Sequence, residues 1–289
     1  MNVIFDMETG DPDDLITLLL LLNNPEVDLK GITCYQGSPI QIGLIHHVLK
    51  KANRLDIPVG GWNTVEPASL NTYYDTTIGQ WQAKEASLTP VEVFEKVMAD
   101  DVLVLTGAPL TNLKLVLDNV PGLVIPKMVT QGGFIGTLVP EAFQLKKFKG
   151  KTAFRTYNPE LDLQAFEAVN NSPSIGHLTY VTKDLCHGFC YTAQLHEQIH
   201  FGKSEVSQLL KKCLGYYASL NKNKAMHDPL AMLMMLYPEL GDYHNIYMSY
   251  HIDNRNLPVF SSVSASGSRY GLIGYDVQAT WNQFARLCE

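Results

Sequence analysis

The sequence predicts an α/β protein: one domain with an open, mostly parallel, doubly wound sheet flanked by helices. Three observations predict it. Short β-type runs alternate with helical segments along most of the chain, which is the pattern of βαβ units. Turns rich in Gly, Asp and Pro follow several of the strands, at residues 6–12, 107–109 and 131–133. No internal repeat, low-complexity tract or composition break marks a boundary, so residues 1–289 read as a single domain.

The elements follow in order. Residues 2–5 are a β-type run ending at Asp6. Residues 14–22 are too apolar for a surface helix and read as a buried one. The turn Asn23-Asn24-Pro25 leads into a second strand at 27–35, then a helix over 40–54 and a short strand over 57–61. Residues 62–88 form a long polar loop carrying Tyr73, Tyr74 and Trp81. Long loops in compact domains often serve as lids or binding loops, and these rings could stack on a ligand or simply pack. Thr89 and Pro90 open a helix to residue 99, one as cap and one in the first turn. Strand 102–106, helix 110–117 and strand 124–131 continue the alternation. Helix 162–169, strand 177–182 and helices 206–220 and 228–236 follow. Residues 246–263 read as paired strands and 275–287 as the last helix.

Composition excludes some classes. The chain is 46% hydrophobic and 18% charged, as in ordinary globular proteins. A formal net charge of −7 does not favour a nucleic-acid partner. The N-terminus lacks the basic flank and apolar stretch of a signal peptide. The longest strongly apolar run, residues 15–22, is too short to span a bilayer. Neither membrane nor nucleic acid is expected, and the expected location is cytoplasmic. The five cysteines, Cys34, Cys186, Cys190, Cys213 and Cys288, are few and scattered, which suits reduced thiols. Cys186, His187 and Cys190 lie close together, but no second ligand pair follows at zinc spacing.

The chemistry concentrates in one segment, Asp6-Met7-Glu8-Thr9-Gly10-Asp11-Pro12-Asp13-Asp14. It sets several carboxylates directly after a strand, at the end where open α/β sheets bind ligands. Carboxylates crowded there repel one another unless a cation or shared protons compensate. Hard divalent ions such as Ca²⁺ or Mg²⁺ prefer such oxygen ligands. The spacing is not that of an EF-hand loop. On spacing alone, a solvated acidic turn with Asp11 or Asp13 capping the helix accounts for it equally well. Three further segments would gather at the same rim: Gly107-Ala108-Pro109-Leu110-Thr111-Asn112, Gln131-Gly132-Gly133, and Met226-His227-Asp228-Pro229-Leu230-Ala231.

Taken together, these segments resemble the nucleoside hydrolases. That family carries an Asp-x-Asp-Pro-Gly-x-Asp-Asp motif after its first strand. A Gly-Pro-Leu-Thr-Asn turn, a Met-Gly-Gly turn, a Glu-Phe-Asn-x-x-x-Asp-Pro segment and a His-Asp-Pro-Leu-Ala helix start follow it. All five have counterparts here in the same order, the fourth being Thr156-Tyr157-Asn158-Pro159-Glu160-Leu161-Asp162. The second strand, with Pro25-Glu26-Val27-Asp28-Leu29-Lys30-Gly31-Ile32-Thr33, also looks like the family's.

The resemblance implies a nucleoside hydrolase-like fold and hydrolysis of the N-glycosidic bond of a ribonucleoside to free base and ribose, a reaction of nucleoside salvage. It implies a Ca²⁺ held by the side chains of Glu8, Asp14 and Asp228 and the backbone carbonyl of Thr111, with Asp6 in support. Asp13 would be the general base towards calcium-bound water, and His227 would protonate or hydrogen-bond the leaving base. Asn158 would hold a ribose hydroxyl. Ser38 and Thr156 fall at sugar-contact positions where the family has Asn and Glu. A homo-oligomer, dimer or tetramer, is the family expectation.

The departures lie mostly around sugar and base. The acidic motif is one residue longer, Glu8 replaces Asp, Gln131 replaces Met, and the segment from Gly133 to Thr156 is extended. They leave room for an unusual substrate, such as the modified nucleoside queuosine. The competing reading is a non-catalytic ribonucleoside- or metal-binding protein on the same scaffold. A binder, however, needs neither the base Asp13 nor the acid His227. Lys146, Lys147, Lys149 and Lys151 read as a solvated basic run, with a 5′-phosphate site as the minor alternative. Asp184 reads as structural.

Overall fold

Strand β1 (Asn2–Met7) is the centre from which the sheet grows in both directions. The computed structural model describes residues 1–65, 70, 72–99, 101–220 and 222–289. Part of the 62–88 loop, residues 66–69 and 71, lies outside the described residues. The other strands are β2 (Asp28–Cys34), β3 (Val59–Gly60), β4 (Val102–Thr106), β5 (Ile125–Gln131), β6 (Ile175–Val181), β7 (Cys190–Tyr191), β8 (Lys224–Ala225), β9 (Gly241–Ile252), β10 (Pro258–Ser264) and β11 (Arg269–Tyr275). Among the described residues the main sheet has the order β10-β9-β11-β6-β5-β4-β1-β2-β3, and β7 with β8 forms a separate antiparallel pair.

From β3 to β11 every neighbouring pair is parallel; β9 and β10 add an antiparallel edge. This bears out the mostly parallel sheet. The connections run through α1 (Asp13–Asn23), α2 (Pro39–Lys51), α3 (Tyr73–Thr77), α4 (Pro90–Val97), α5 (Thr111–Asn119), α6 (Tyr157–Leu161), α7 (Leu163–Asn171), α8 (Lys183–Cys186), α9 (Ala193–Gln198), α10 (Glu205–Ser219), α11 (His227–Leu236) and α12 (Val277–Arg286).

Period-two alternation divides the interior into two cores. Val3, Phe5 and Met7 of β1 join one cluster with α1, α2, α10 and α11, whereas Ile4 joins the other with α5 and α7. Helices α1 and α11 are buried almost throughout, as their apolar runs require. The chain builds β1, β2 and β3 outward and then returns to β4 on the opposite side of β1. Strand order therefore reverses between β1 and β4, and the crevice at their carboxyl ends is where such sheets take ligands.

The structure adds to the sequence reading at several places, three of them as follows. Asp162 caps α7 rather than lying inside it, its Oδ1 accepting from the Ala165 amide at 2.9 Å. The final strand β11 went unrecognised because Gly271 and Gly274 interrupt its apolar pattern. Of the two readings open for Tyr73 and Tyr74, the structure shows packing: both are buried, Tyr73 stacks on Tyr217, and Tyr74 donates to the Thr9 carbonyl at 3.0 Å.

Candidate active site

The site begins where two buried helices start side by side. Asp13 and Asp14 occupy the first turn of α1, and Asp228 the first turn of α11. One carboxylate oxygen from each of the three lies within 4.8 Å of the others. Helix N-termini carry unpaired N–H groups and a partial positive charge, so carboxylates gather there at reduced cost. The trio floors a cavity of about 290 Å³, with walls that include Glu8, Gly107, Gln131, Thr156, Asn158, Lys183, His187 and His227.

The three acids are not equivalent. Asp13 Oδ2 accepts from the backbone amides of His227 at 2.8 Å and Asp228 at 3.3 Å, and lies 3.3 Å from His227 Nδ1. Its Oδ1 lies 3.3 Å from Lys224 Nζ. Burial alone would raise this carboxyl, but Lys224 and His227 outweigh it and hold it well below the usual range. Asp14 and Asp228 go the other way. Burial, followed by the neighbouring carboxylates, pushes both well above the ordinary value. Asp228 Oδ1 is buried with no hydrogen-bond partner among the described residues. An orphaned, desolvated carboxylate oxygen beside two more carboxylates is what a hard cation satisfies. The cluster can hold a metal ion.

Asp6 lies one layer deeper. It is fully buried and accepts from Thr33 Oγ1 at 2.7 Å, Thr106 Oγ1 at 2.9 Å and Asn112 Nδ2 at 2.8 Å. Register supplies the two threonines, since Asp6 pairs with Thr33 on β2 and with Thr106 on β4. Burial pushes its carboxyl up to about 6 against these three donors. Glu8 lines the cavity, but its carboxylate curls back to accept from the amides of Gly10 at 2.5 Å and Asp11 at 3.1 Å. The Glu8 amide in turn donates to Asp14 Oδ1 at 2.9 Å.

Asn158 and Thr156 are both at the cavity and both buried. Asn158 Nδ2 donates to the Gly107 carbonyl at 2.6 Å and to Gln131 Oε1 at 3.0 Å. The Thr156 hydroxyl is buried without a partner among the described residues. His227 also lines the cavity, its ring edge-on to His187 at 5.1 Å. Burial, then the nearby His227 and lysines, drives His187 down to about 3, so it is neutral at physiological pH.

Two expected residues are not among those lining the cavity. Thr111 opens α5 with its hydroxyl donating to Asp162 Oδ2 at 2.8 Å. Gly107, directly after β4, is the residue pressed against the acids instead. A Cβ there would meet Asp228 Cγ at 2.6 Å and Asp14 Oδ1 at 2.9 Å. Ser38 caps α2, its amide and hydroxyl donating to Gln41 Oε1 at 2.9 and 3.1 Å.

Other residues of the site carried no usable signal in the sequence. Lys224 sits in no motif, and although Asn112 closes the Gly107–Asn112 turn and His187 neighbours Cys186 and Cys190 in the sequence, neither segment reveals a contact with Asp6 or with His227. Asp11, without a role in the sequence, pairs with Lys224 at 2.5 Å. Asp184 is structural as expected, accepting from the amides of Ile135 and Gly136 and from Thr182.

Comparison with known proteins follows this geometry. Residues 3–262 match the profile of the family described as inosine-uridine preferring nucleoside hydrolase. The chain is 26% identical over 270 residues to the pyrimidine-specific ribonucleoside hydrolase RihA of Escherichia coli, covering 83% of this chain and 81% of the relative. A plant nucleoside hydrolase superposes with TM-score 0.73 at 17% identity, covering 99% of this chain and 98% of the other. The inosine-uridine preferring nucleoside hydrolase of Bacillus anthracis superposes with TM-score 0.72 at 16% identity, covering 100% and 99%.

Proposed function

The chain belongs to the inosine-uridine preferring nucleoside hydrolase family, and we propose that it hydrolyses a ribonucleoside to free base and ribose at the α1–α11 cavity with Ca²⁺ as its cofactor. The observation that carries this reading is Asp13. It is a buried carboxylate kept ionised by Lys224 and by the start of α11, beside both an imidazole and an acidic cluster fit for a cation.

Asp14 and Asp228 would hold the ion, with Glu8 at the edge of the site and Asp6 bracing β1 beneath. Calcium bound there would offset the crowded carboxylates, engage ribose hydroxyls and acidify water. Asp13 takes the proton from the attacking water, whose oxygen forms the new bond to C1′. The C1′–N bond breaks, and the leaving base keeps its electron pair as positive charge develops on the sugar. His227 gives that base a proton or a hydrogen bond. Thr156 and Asn158, which line the same cavity, hold the sugar.

The test is a panel of ribonucleosides, modified ones such as queuosine included, with free base detected by chromatography. Asp13→Ala should lower base release by about a thousandfold, within the range of a positioned general base, while circular dichroism stays native. No base release from any member would sink the enzymatic reading in favour of a binding protein.

A further inference from the structure

A second cavity, of about 920 Å³, adjoins the first and shares Tyr157 and Lys183 with it as lining residues. Its lining carries four cationic side chains, Lys151, Arg155, Lys183 and Arg255, against two carboxylates, Glu160 and Asp253. Both carboxylates are already engaged: Glu160 accepts from Arg155 at 2.5 Å and Asp253 from Arg255 at 2.7 Å. Lys151 and Lys183 have no carboxylate within 4.0 Å among the described residues. Their ammonium groups lie 4.5 and 5.3 Å from the centroid of one ring, Phe154. Lys183 Nζ also donates to the Arg155 carbonyl at 3.1 Å, which fixes it at the boundary between the two cavities.

We propose that this second cavity receives an anionic group on the 5′ carbon of the substrate ribose, so that the chain acts on a ribonucleoside 5′-monophosphate. The inference rests on the hydrolase reading above. In a β-ribonucleoside the 2′- and 3′-hydroxyls leave one face of the ring, while the base and C5′ both leave the other. With the hydroxyls towards the acidic floor, base and C5′ both rise towards α8. There His187 and Lys183 stand one turn apart, His187 beside His227 and Lys183 at the mouth of the second cavity. Thr156, which lines the first cavity, offers a hydroxyl without a partner among the described residues and no charge that would repel a phosphate. Lys151 and Lys183 supply the charge-assisted hydrogen bonds that phosphate oxygens take. The reaction is otherwise unchanged: water oxygen joins C1′, the C1′–N bond breaks, the base leaves protonated, and ribose 5-phosphate is the second product.

Calorimetry on the full chain with calcium present decides the subsite, with ribose, ribose 5-phosphate and inorganic phosphate as probes. Ribose 5-phosphate should bind at least about tenfold more tightly than ribose, the contribution of one charge-assisted hydrogen bond. Lys183→Ala should remove that preference, and Lys151→Gln should weaken it. Undetectable or equal binding of ribose 5-phosphate, a preference retained in both variants, or inorganic phosphate binding as tightly as ribose 5-phosphate would each overturn the proposal. Base release from nucleosides and their 5′-monophosphates, run side by side, separates the two readings. Failure of both substrate sets counts against hydrolysis, while turnover of nucleosides alone counts against the phosphate subsite.

Discussion

One ammonium group holds two carboxylates of a single turn. Lys224 Nζ lies 2.5 Å from Asp11 Oδ1 and 3.3 Å from Asp13 Oδ1, and its side chain is only 13% exposed. It enters from β8, far along the chain from the acidic segment, and its own basicity is raised by the two acids despite its burial. Asp11, to which the sequence motif assigned no role, thus shares the cation that pairs with Asp13.

Removing that cation should be visible in the pH profile of base release. In the proposed role Asp13 acts as a base only when ionised, and Lys224 is foremost among the groups that keep it so in spite of burial. In Lys224→Met the Asp13 carboxyl rises, so the acid limb of the profile moves to higher pH. Activity should fall most at acid pH and least at alkaline pH. An acid limb that stays in place would refute this coupling.

Divalent ions should stabilise the fold, and more so at higher pH. The folded-state values of Asp14 and Asp228 lie well above the ordinary carboxyl value of 3.8. Raised acids bind protons better when folded, so stability falls as pH climbs from the unfolded value through the folded one. A bound cation replaces those protons and removes that loss. At a hundredfold excess over Kd the gain is about 2.7 kcal/mol. Thermal melts with calcium or a chelator, compared at about pH 5 and about pH 8, test it; a calcium shift that is absent or larger at acid pH contradicts it.

Gly107→Ala should damage ion binding more than folding. The new methyl would sit 2.6 Å from Asp228 Cγ and 2.9 Å from Asp14 Oδ1, so one carboxylate must move. Calcium affinity measured by calorimetry should drop by about tenfold or more, as supporting changes around metal sites typically cost. Unaltered affinity would show that the acids can yield at no cost.

Asp6→Ala should weaken the fold itself. It strands the buried donors of Thr33 and Asn112, while the Thr106 hydroxyl keeps the Ala108 carbonyl as acceptor at 3.3 Å. Unsatisfied buried donors cost about 1–3 kcal/mol each, partly relieved if water enters. Urea denaturation should report a loss of about 2 kcal/mol or more. A loss below about 1 kcal/mol would mean that the β1–β4 junction does not depend on this network.

Much of this was legible along the chain. Apolar runs such as 14–22 and 228–236 determined the buried helices, because burial on every side leaves no polar face in the sequence. The alternation of strands and helices determined a parallel sheet, and the acidic segment after β1 marked the rim at which the cavity lies. Asp13, Asp14, Asp228, Asn158, Thr156 and His227 stand in local motifs, and they do converge on one cavity. Only the tertiary structure decided the rest. Gly107 precedes α5 by four residues, and only the packing shows that its backbone presses against Asp228 and Asp14. Lys224, Asn112 and Lys183 act through partners distant in sequence, and no spacing rule encodes such contacts. Local sequence fixes the period, the cap and the turn. The charge on Asp13 and the reach of the pocket are sums over neighbours that only the packed sheet brings together.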